Sequence, residues 1–164
     1  MNFEQMFYLQ KVLDERIMQE HGLDERHVIQ ERILALEVEL GELANETRCF
    51  KYWSTKAPSE REIILEEYVD GIHFILSLGL SLQYTDINDK EMENIEMKIS
   101  AVEAFQAVFD QVSKFNCEKS FSQYKQLFQD YLALGRTLGF RENEIENAYL
   151  QKNEVNHRRQ DEGY

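Results

Sequence analysis

EEYVDGIHFIL (66–76) is the stretch on which the reading of this chain turns. Glu67 and Asp70 stand three residues apart, and from Gly71 to Thr85 there is no Asp, Glu, Lys or Arg. A spacing of three puts both carboxylates on one face of a helix. Beyond Asp70 that helix is apolar nearly all round, so both of its sides must be covered. ELGEL (39–43) repeats the spacing with Glu39 and Glu42. Two such helices running antiparallel would bring four carboxylates to one place. Like charges so gathered are unstable without a cation among them. Hard divalent ions such as Mg²⁺ are the usual answer, and Mg²⁺ commonly brings a phosphate substrate. On spacing alone, a solvated acidic face is an equally good reading, because 31 acidic residues produce E-x-x-E by chance, as at Glu93/Glu96.

Outward from these two stretches the pattern is helical throughout. One proline and seven glycines leave few breakers and argue against an all-β fold. About six helices are expected. The first covers roughly 2–20 and ends at His21-Gly22. The second runs from about 25 to 49, with Ile29, Ile33, Leu36, Leu40 and Leu43 as its apolar stripe. The loop FKYWSTKAPS (50–59) holds the only Trp and the only Pro. Ser59 and Glu62 suggest a capping box for a third helix running to about Gln83, with Leu65, Val69, Ile72 and Leu76 as one stripe. A fourth helix spans about 88–114, with Met92, Ile95, Ile99, Val102, Phe105, Phe109 and Val112 inside. Ser120 and Gln123 open a fifth that Gly139 ends. A sixth starts near Glu142 and carries Ile145, Ala148, Tyr149, Lys152 and Val155. Residues 156–164 have no apolar periodicity. The expectation is a single all-α domain over 1–164.

Charge and cysteine content narrow the function. A net charge of −13 excludes a general nucleic-acid binder. An anionic substrate would need metal ions or a local basic island, and Lys152, His157, Arg158 and Arg159 form one near the C-terminus. Two cysteines, Cys49 and Cys117, make neither a disulfide framework nor a zinc site. No stretch is long enough to span a membrane, and the N-terminus has no signal-peptide pattern. A cytoplasmic protein is expected.

In LQKVLDERI (9–17), ALEVELGELANETRCFKYWS (35–54), EEYVDGIHFILSLGL (66–80) and AYLQKNEVNHRRQDEGY (148–164), the chain resembles the all-α nucleoside triphosphate pyrophosphohydrolases, which include the MazG-type enzymes. More narrowly, it resembles the dimeric dUTPases of the bacterial and phage kind. E-x-x-E with E-x-x-D is evidence at superfamily level. The FKYWS loop, the D-x-x-H-F step and the K-N-x-x-N-x-x-R-Q-x-x-G-Y tail are more specific.

The resemblance implies an all-α homodimer that cleaves dUTP to dUMP and diphosphate, with dUDP hydrolysis as a secondary activity. It implies two or more Mg²⁺ ions per site on Glu39, Glu42, Glu67 and Asp70. One glutamate would act as base toward water, Glu39 ahead of Glu42. Trp53 and His73 would pack around uracil and Phe74 against the deoxyribose, while Gln10 would read the base edge. Lys51, Lys152, Asn153, Asn156, Arg159 and Tyr164 would hold the phosphates. Residues 156–164 would form a mobile tail that closes over the substrate. Asp14 departs from the family, which often has Asn four residues after the Gln. A carboxylate there can accept from uracil N3–H or from the cytosine amino group, or it can be structural. A dCTP-directed or broader pyrophosphohydrolase is therefore the nearest alternative, and a non-catalytic helical interaction module is the rival from another class. No regulatory protein partner is readable.

Overall fold

The structure is a computed structural model that describes residues 1–163 apart from 25–27, 88–91, 93, 94, 96 and 99. Its helices are α1 (Phe3–His21), α2 (Ile29–Thr47), α3 (Arg61–Ser81), α4 (Ala101–Cys117), α5 (Phe121–Thr137) and α6 (Glu142–Asp161). No strand occurs among the described residues, and no helix is long and apolar enough to cross a membrane. The all-α expectation holds. α3 packs against α1, α2, α5 and α6, and α4 lies against α2 and α5.

α3 takes the centre because it has no polar face beyond Asp70. Tyr68, Val69, Ile72, Ile75, Leu76 and Leu78 are all buried at 1% exposure or less. Its crossing with α5 is set by glycines facing tyrosines. Tyr68 and Tyr131 stack at 4.9 Å, and each hydroxyl donates to the other residue's carbonyl, at 3.0 and 2.9 Å. A Cβ on Gly71 would sit 1.9 Å from the Tyr131 hydroxyl oxygen, and one on Gly135 would sit 2.3 Å from that of Tyr68. The missing Cβ atoms admit the rings, and the exchanged hydrogen bonds satisfy hydroxyls that burial would otherwise penalise.

Helix ends follow local signals with some exceptions. Gly22 closes α1 at φ 62°, in the left-handed region a glycine adopts without strain. Gly139, at φ 84°, stands just beyond the end of α5. Ser120 caps α5 by accepting from Gln123 N–H, while Gln123 Oε1 takes a bond from Gln111 at 2.6 Å. The Ser59/Glu62 capping box is not formed. Glu60 is the N-cap of α3, and Ser59 is turned to α2 instead, its N–H donating to the Glu46 carbonyl at 3.0 Å and its hydroxyl to the Glu46 carboxylate.

α4 also starts later than expected. The described residues Ile95, Met97, Lys98 and Ser100 are not helical, and Ser100 caps the helix by accepting from Glu103 N–H at 3.2 Å. Its buried stripe is Phe105, Val108, Val112 and Phe115, whereas Val102 and Phe109 are more than a third exposed. The first part of that expected helix, Ile99 included, falls largely outside the described residues, as does the expected start of α2 at 25–27. At the other end the chain is helical to Asp161. Arg16 ties that end to α1 through the His157 carbonyl at 3.0 Å and Asp161 at 2.6 Å.

Candidate active site

Four helices converge on one cleft. α1 and α2 form one side of it, α3 its floor and the second half of α6 its edge. The cleft encloses about 420 Å³, and its walls include Gln10, Asp14, Glu39, Asp70, His73, Phe74, Asn156 and Arg159. Eight expected site residues from four helices are thus brought together. Ile17, Met18 and Leu23 add apolar wall, so a flat ring and an anion could share the space.

The carboxylate cluster forms at the α2–α3 contact. Oxygens of Glu39, Glu67 and Asp70 lie within 4.8 Å of one another. Glu42, one turn along α2, is exposed and outside that triad, yet near enough to act electrostatically on Glu39 and Glu67. Burial, then the charges of Asp70, Glu42 and Glu67, push the Glu39 carboxyl up to about 7. Glu67 is raised by burial and then by Asp70 and Glu42. Burial raises Asp70 too, with Lys152 pulling against it. A hard, all-oxygen donor set that resists ionising is what a divalent cation would relieve.

Lys152 supplies the cation the chain itself offers. Its Nζ lies 2.7 Å from Asp70 Oδ2 and 2.8 Å from Glu66 Oε1. Burial alone would lower its pKa, but the two carboxylates outweigh that and raise it. Asn153, beside it on α6, is buried with Nδ2 lacking a protein partner.

The opposite end of the cleft is a closed polar network. Gln10 Nε2 donates to Asp14 Oδ1 at 2.8 Å and to the Ser77 hydroxyl at 3.0 Å. Gln10 Oε1 meets His73 Nδ1 at 2.7 Å and the Tyr149 hydroxyl at 3.0 Å. Its hydrogen-bonding capacity is therefore spent on protein partners. His73 stacks on Tyr149 at 4.4 Å, and burial, with Lys152 nearby, drives its pKa down to about 3. The ring is neutral, and its Nε2 is buried without a protein partner.

A family model described as dUTPase matches residues 2–164. The chain belongs to the dUTPase family. Membership carries dUTP pyrophosphohydrolase activity, which converts dUTP and water to dUMP and diphosphate, and it sets aside the reading as a non-catalytic interaction module. No curated protein matches the chain.

Lys51 and Trp53, both expected in the dUTPase site, are not among the residues that line this cleft. Trp53 is 65% exposed and packs edge-on against Phe50 and Tyr52. Lys51 lies over the Phe50 ring. Arg48 holds this loop to α2 by donating to the Lys56 carbonyl and the Ser54 hydroxyl. Tyr164 lies outside the described residues. Four network residues were not anticipated: Arg32, Glu66, Ser77 and Tyr149. For Ser77 a signal existed, a hydroxyl one turn after His73 inside an apolar run. For Arg32 it was a cation beside the α2 stripe.

Proposed function

We propose that this dUTPase is Mg²⁺-dependent and that Glu39, Glu42, Glu67 and Asp70 hold two or more ions. The observation that carries the proposal is the Glu39–Glu67–Asp70 triad opening into the cleft that His73, Phe74 and Arg159 line. When bound, the ions would neutralise the triphosphate and lower the pKa of a coordinated water. Glu39 is the favoured base toward that water, because it is the carboxylate of α2 that both joins the triad and lines the cleft. Arg159 and Asn156, at the α6 edge, would hold the phosphate chain. Lys152 would exchange its carboxylate partners for phosphate oxygens as cations take up Asp70, with Asn153 Nδ2 as a further donor.

His73 and Phe74 would receive the nucleoside. With Nδ1–H donating to Gln10, the free His73 Nε2 is an acceptor suited to uracil N3–H. The Gln10 amide then orients the imidazole as well as bordering the base. Phe74 would crowd a 2′-hydroxyl. Hydrolysis of dUDP belongs to the same proposal, as does closure of the segment from Asn156 onward over the substrate. A homodimer is the assembly we infer, because Leu34 and Val38 on α2, with Tyr52 and Trp53 in the loop, present apolar surface to solvent. The free thiols of Cys49 and Cys117 suit a reducing cytoplasm.

The test is release of dUMP and diphosphate from dUTP with and without Mg²⁺, beside dCTP, dTTP and UTP. Selective, Mg²⁺-dependent dUTP cleavage is expected. Full activity in EDTA would sink the metal assignment, and preference for dCTP would sink the base pocket.

A further inference from the structure

Arg32 is a buried cation in the wall of the cleft. Its Nη2 lies 3.3 Å from Asp14 Oδ2. Its Nη1 donates to the Ser77 carbonyl at 3.4 Å and to the Ser81 hydroxyl. The pair sits beside Gln10, whose amide links Asp14 to His73. We propose that Arg32 is a positioning residue for base choice, acting through Asp14 and Gln10 to keep His73 Nε2 an acceptor. The inference rests on the nucleotide-binding role proposed for this cleft.

The polarity of each link follows from the one before it. Paired with a guanidinium, Asp14 is a carboxylate and can only accept. Gln10 must therefore turn its NH₂ toward Asp14, and the Ser77 hydroxyl, which accepts from Gln10, also donates to Asp14 Oδ1 at 3.0 Å. That orientation leaves Gln10 Oε1 facing His73, so Nδ1 must carry the proton and donate. A neutral ring protonated at Nδ1 has a bare Nε2. Uracil offers N3–H to such an atom. Cytosine offers a lone pair at N3, and two lone pairs facing each other in a buried site are strongly rejected. Asp14 Oδ1 takes both Gln10 and Ser77 and Oδ2 faces Arg32, so a cytosine amino group would have to compete with these partners for the carboxylate.

Removing the cation should reverse the chain. With the Arg32 guanidinium gone, burial favours the neutral form of Asp14 over the carboxylate. Its O–H can donate to Gln10 Oε1 and let the amide turn over. The NH₂ then faces His73 Nδ1, the proton moves to Nε2, and the ring becomes a donor suited to cytosine N3.

Two measurements on the full chain test this. Nitrogen-15 NMR of the imidazoles should show His73 as the Nδ1–H tautomer in wild type and R32K, and a shift toward Nε2–H in R32M. Equilibrium titration with dUMP and dCMP should show the preference for dUMP falling about tenfold or more in R32M and largely retained in R32K. R32Q keeps N–H donors toward Ser77 and Ser81 without the charge, and it carries the same expectation if R32M does not fold. A wild-type His73 protonated at Nε2, or unchanged selectivity in a folded R32M or R32Q, would overturn the inference while leaving nucleotide binding intact. Failure of wild type to bind either nucleotide would overturn both the inference and the functional reading beneath it.

Discussion

Glu39→Gln should reveal the strain of the carboxylate cluster as a pH-dependent difference in stability. The Glu39 pKa moves from 4.5 to about 7 on folding, through burial and then Asp70, Glu42 and Glu67. A raised pKa means the folded protein holds the proton more tightly than the unfolded chain. The stability this lends is complete below 4.5 and lost as pH rises through about 7. Full linkage would amount to about 3 kcal/mol, and partial exposure with solvent screening reduces it to about 1 kcal/mol. That corresponds to about 2–4 °C of melting temperature for a domain of this size. His73 acts in the opposite sense. Its pKa falls from 6.5 to about 3, so its contribution is present above 6.5 and lost as pH falls. Both proteins carry His73, so the difference between them isolates Glu39. Calorimetric melting in EDTA from about pH 5 to about pH 8 should therefore show wild type losing ground to E39Q across the window set by Glu39's two pKa values. Adding Mg²⁺ at the alkaline end should raise wild type, as binding to the folded state must, and should raise E39Q much less. Parallel curves in EDTA would refute the electrostatic reading of the cluster, and equal Mg²⁺ shifts would remove Glu39 from the metal site.

Glu67→Gln should abolish dUTP turnover with the circular dichroism spectrum and melting temperature retained, because a neutral amide relieves rather than adds repulsion; wild-type turnover would contradict the metal assignment. Deleting residues 156–164 removes Asn156 and Arg159 from the cleft and should cut turnover by about tenfold or more. It should lower the melting temperature only slightly, since the contacts it breaks are peripheral, among them the two that Arg16 makes with Asp161 and with the His157 carbonyl; equal activity would take the tail out of the site. Gly71→Ala should destabilise by about 2–4 kcal/mol in urea unfolding, because the added Cβ displaces the Tyr131 hydroxyl from its carbonyl. A neutral result would mean the α3–α5 crossing is looser than its 4.9 Å ring stacking.

Features repeated within one helix were legible without coordinates. Ile33, Leu36, Leu40 and Leu43 are all buried at 2% exposure or less, as their three- and four-residue steps require. The same periodicity put Glu67 and Asp70 on one face, and the apolar run after them showed that the face had to be met by another element. Capping was less legible, because a Ser followed by Glu three residues on caps a helix only if no distant element takes up the Ser N–H and hydroxyl first. Ser59 found the Glu46 carboxylate, while Ser100, with no such competitor among its described contacts, capped α4. The polar end of the cleft was hidden for a different reason. Gln10 and Asp14 are one helical turn apart, so their pairing is local, but the atoms that decide what each presents to a ligand lie far along the chain. Ser77 and His73 come from α3, Arg32 from α2 and Tyr149 from α6. In LQKVLDERI, Asp14 reads as a carboxylate open to either pyrimidine. With the Arg32 guanidinium at 3.3 Å and two donors on its other oxygen, it is an acceptor already engaged, and its influence on the base passes through Gln10 to the one ring nitrogen left without a partner. Residue types revealed which chemistry was present; which atom faces the substrate depended on how four helices cross.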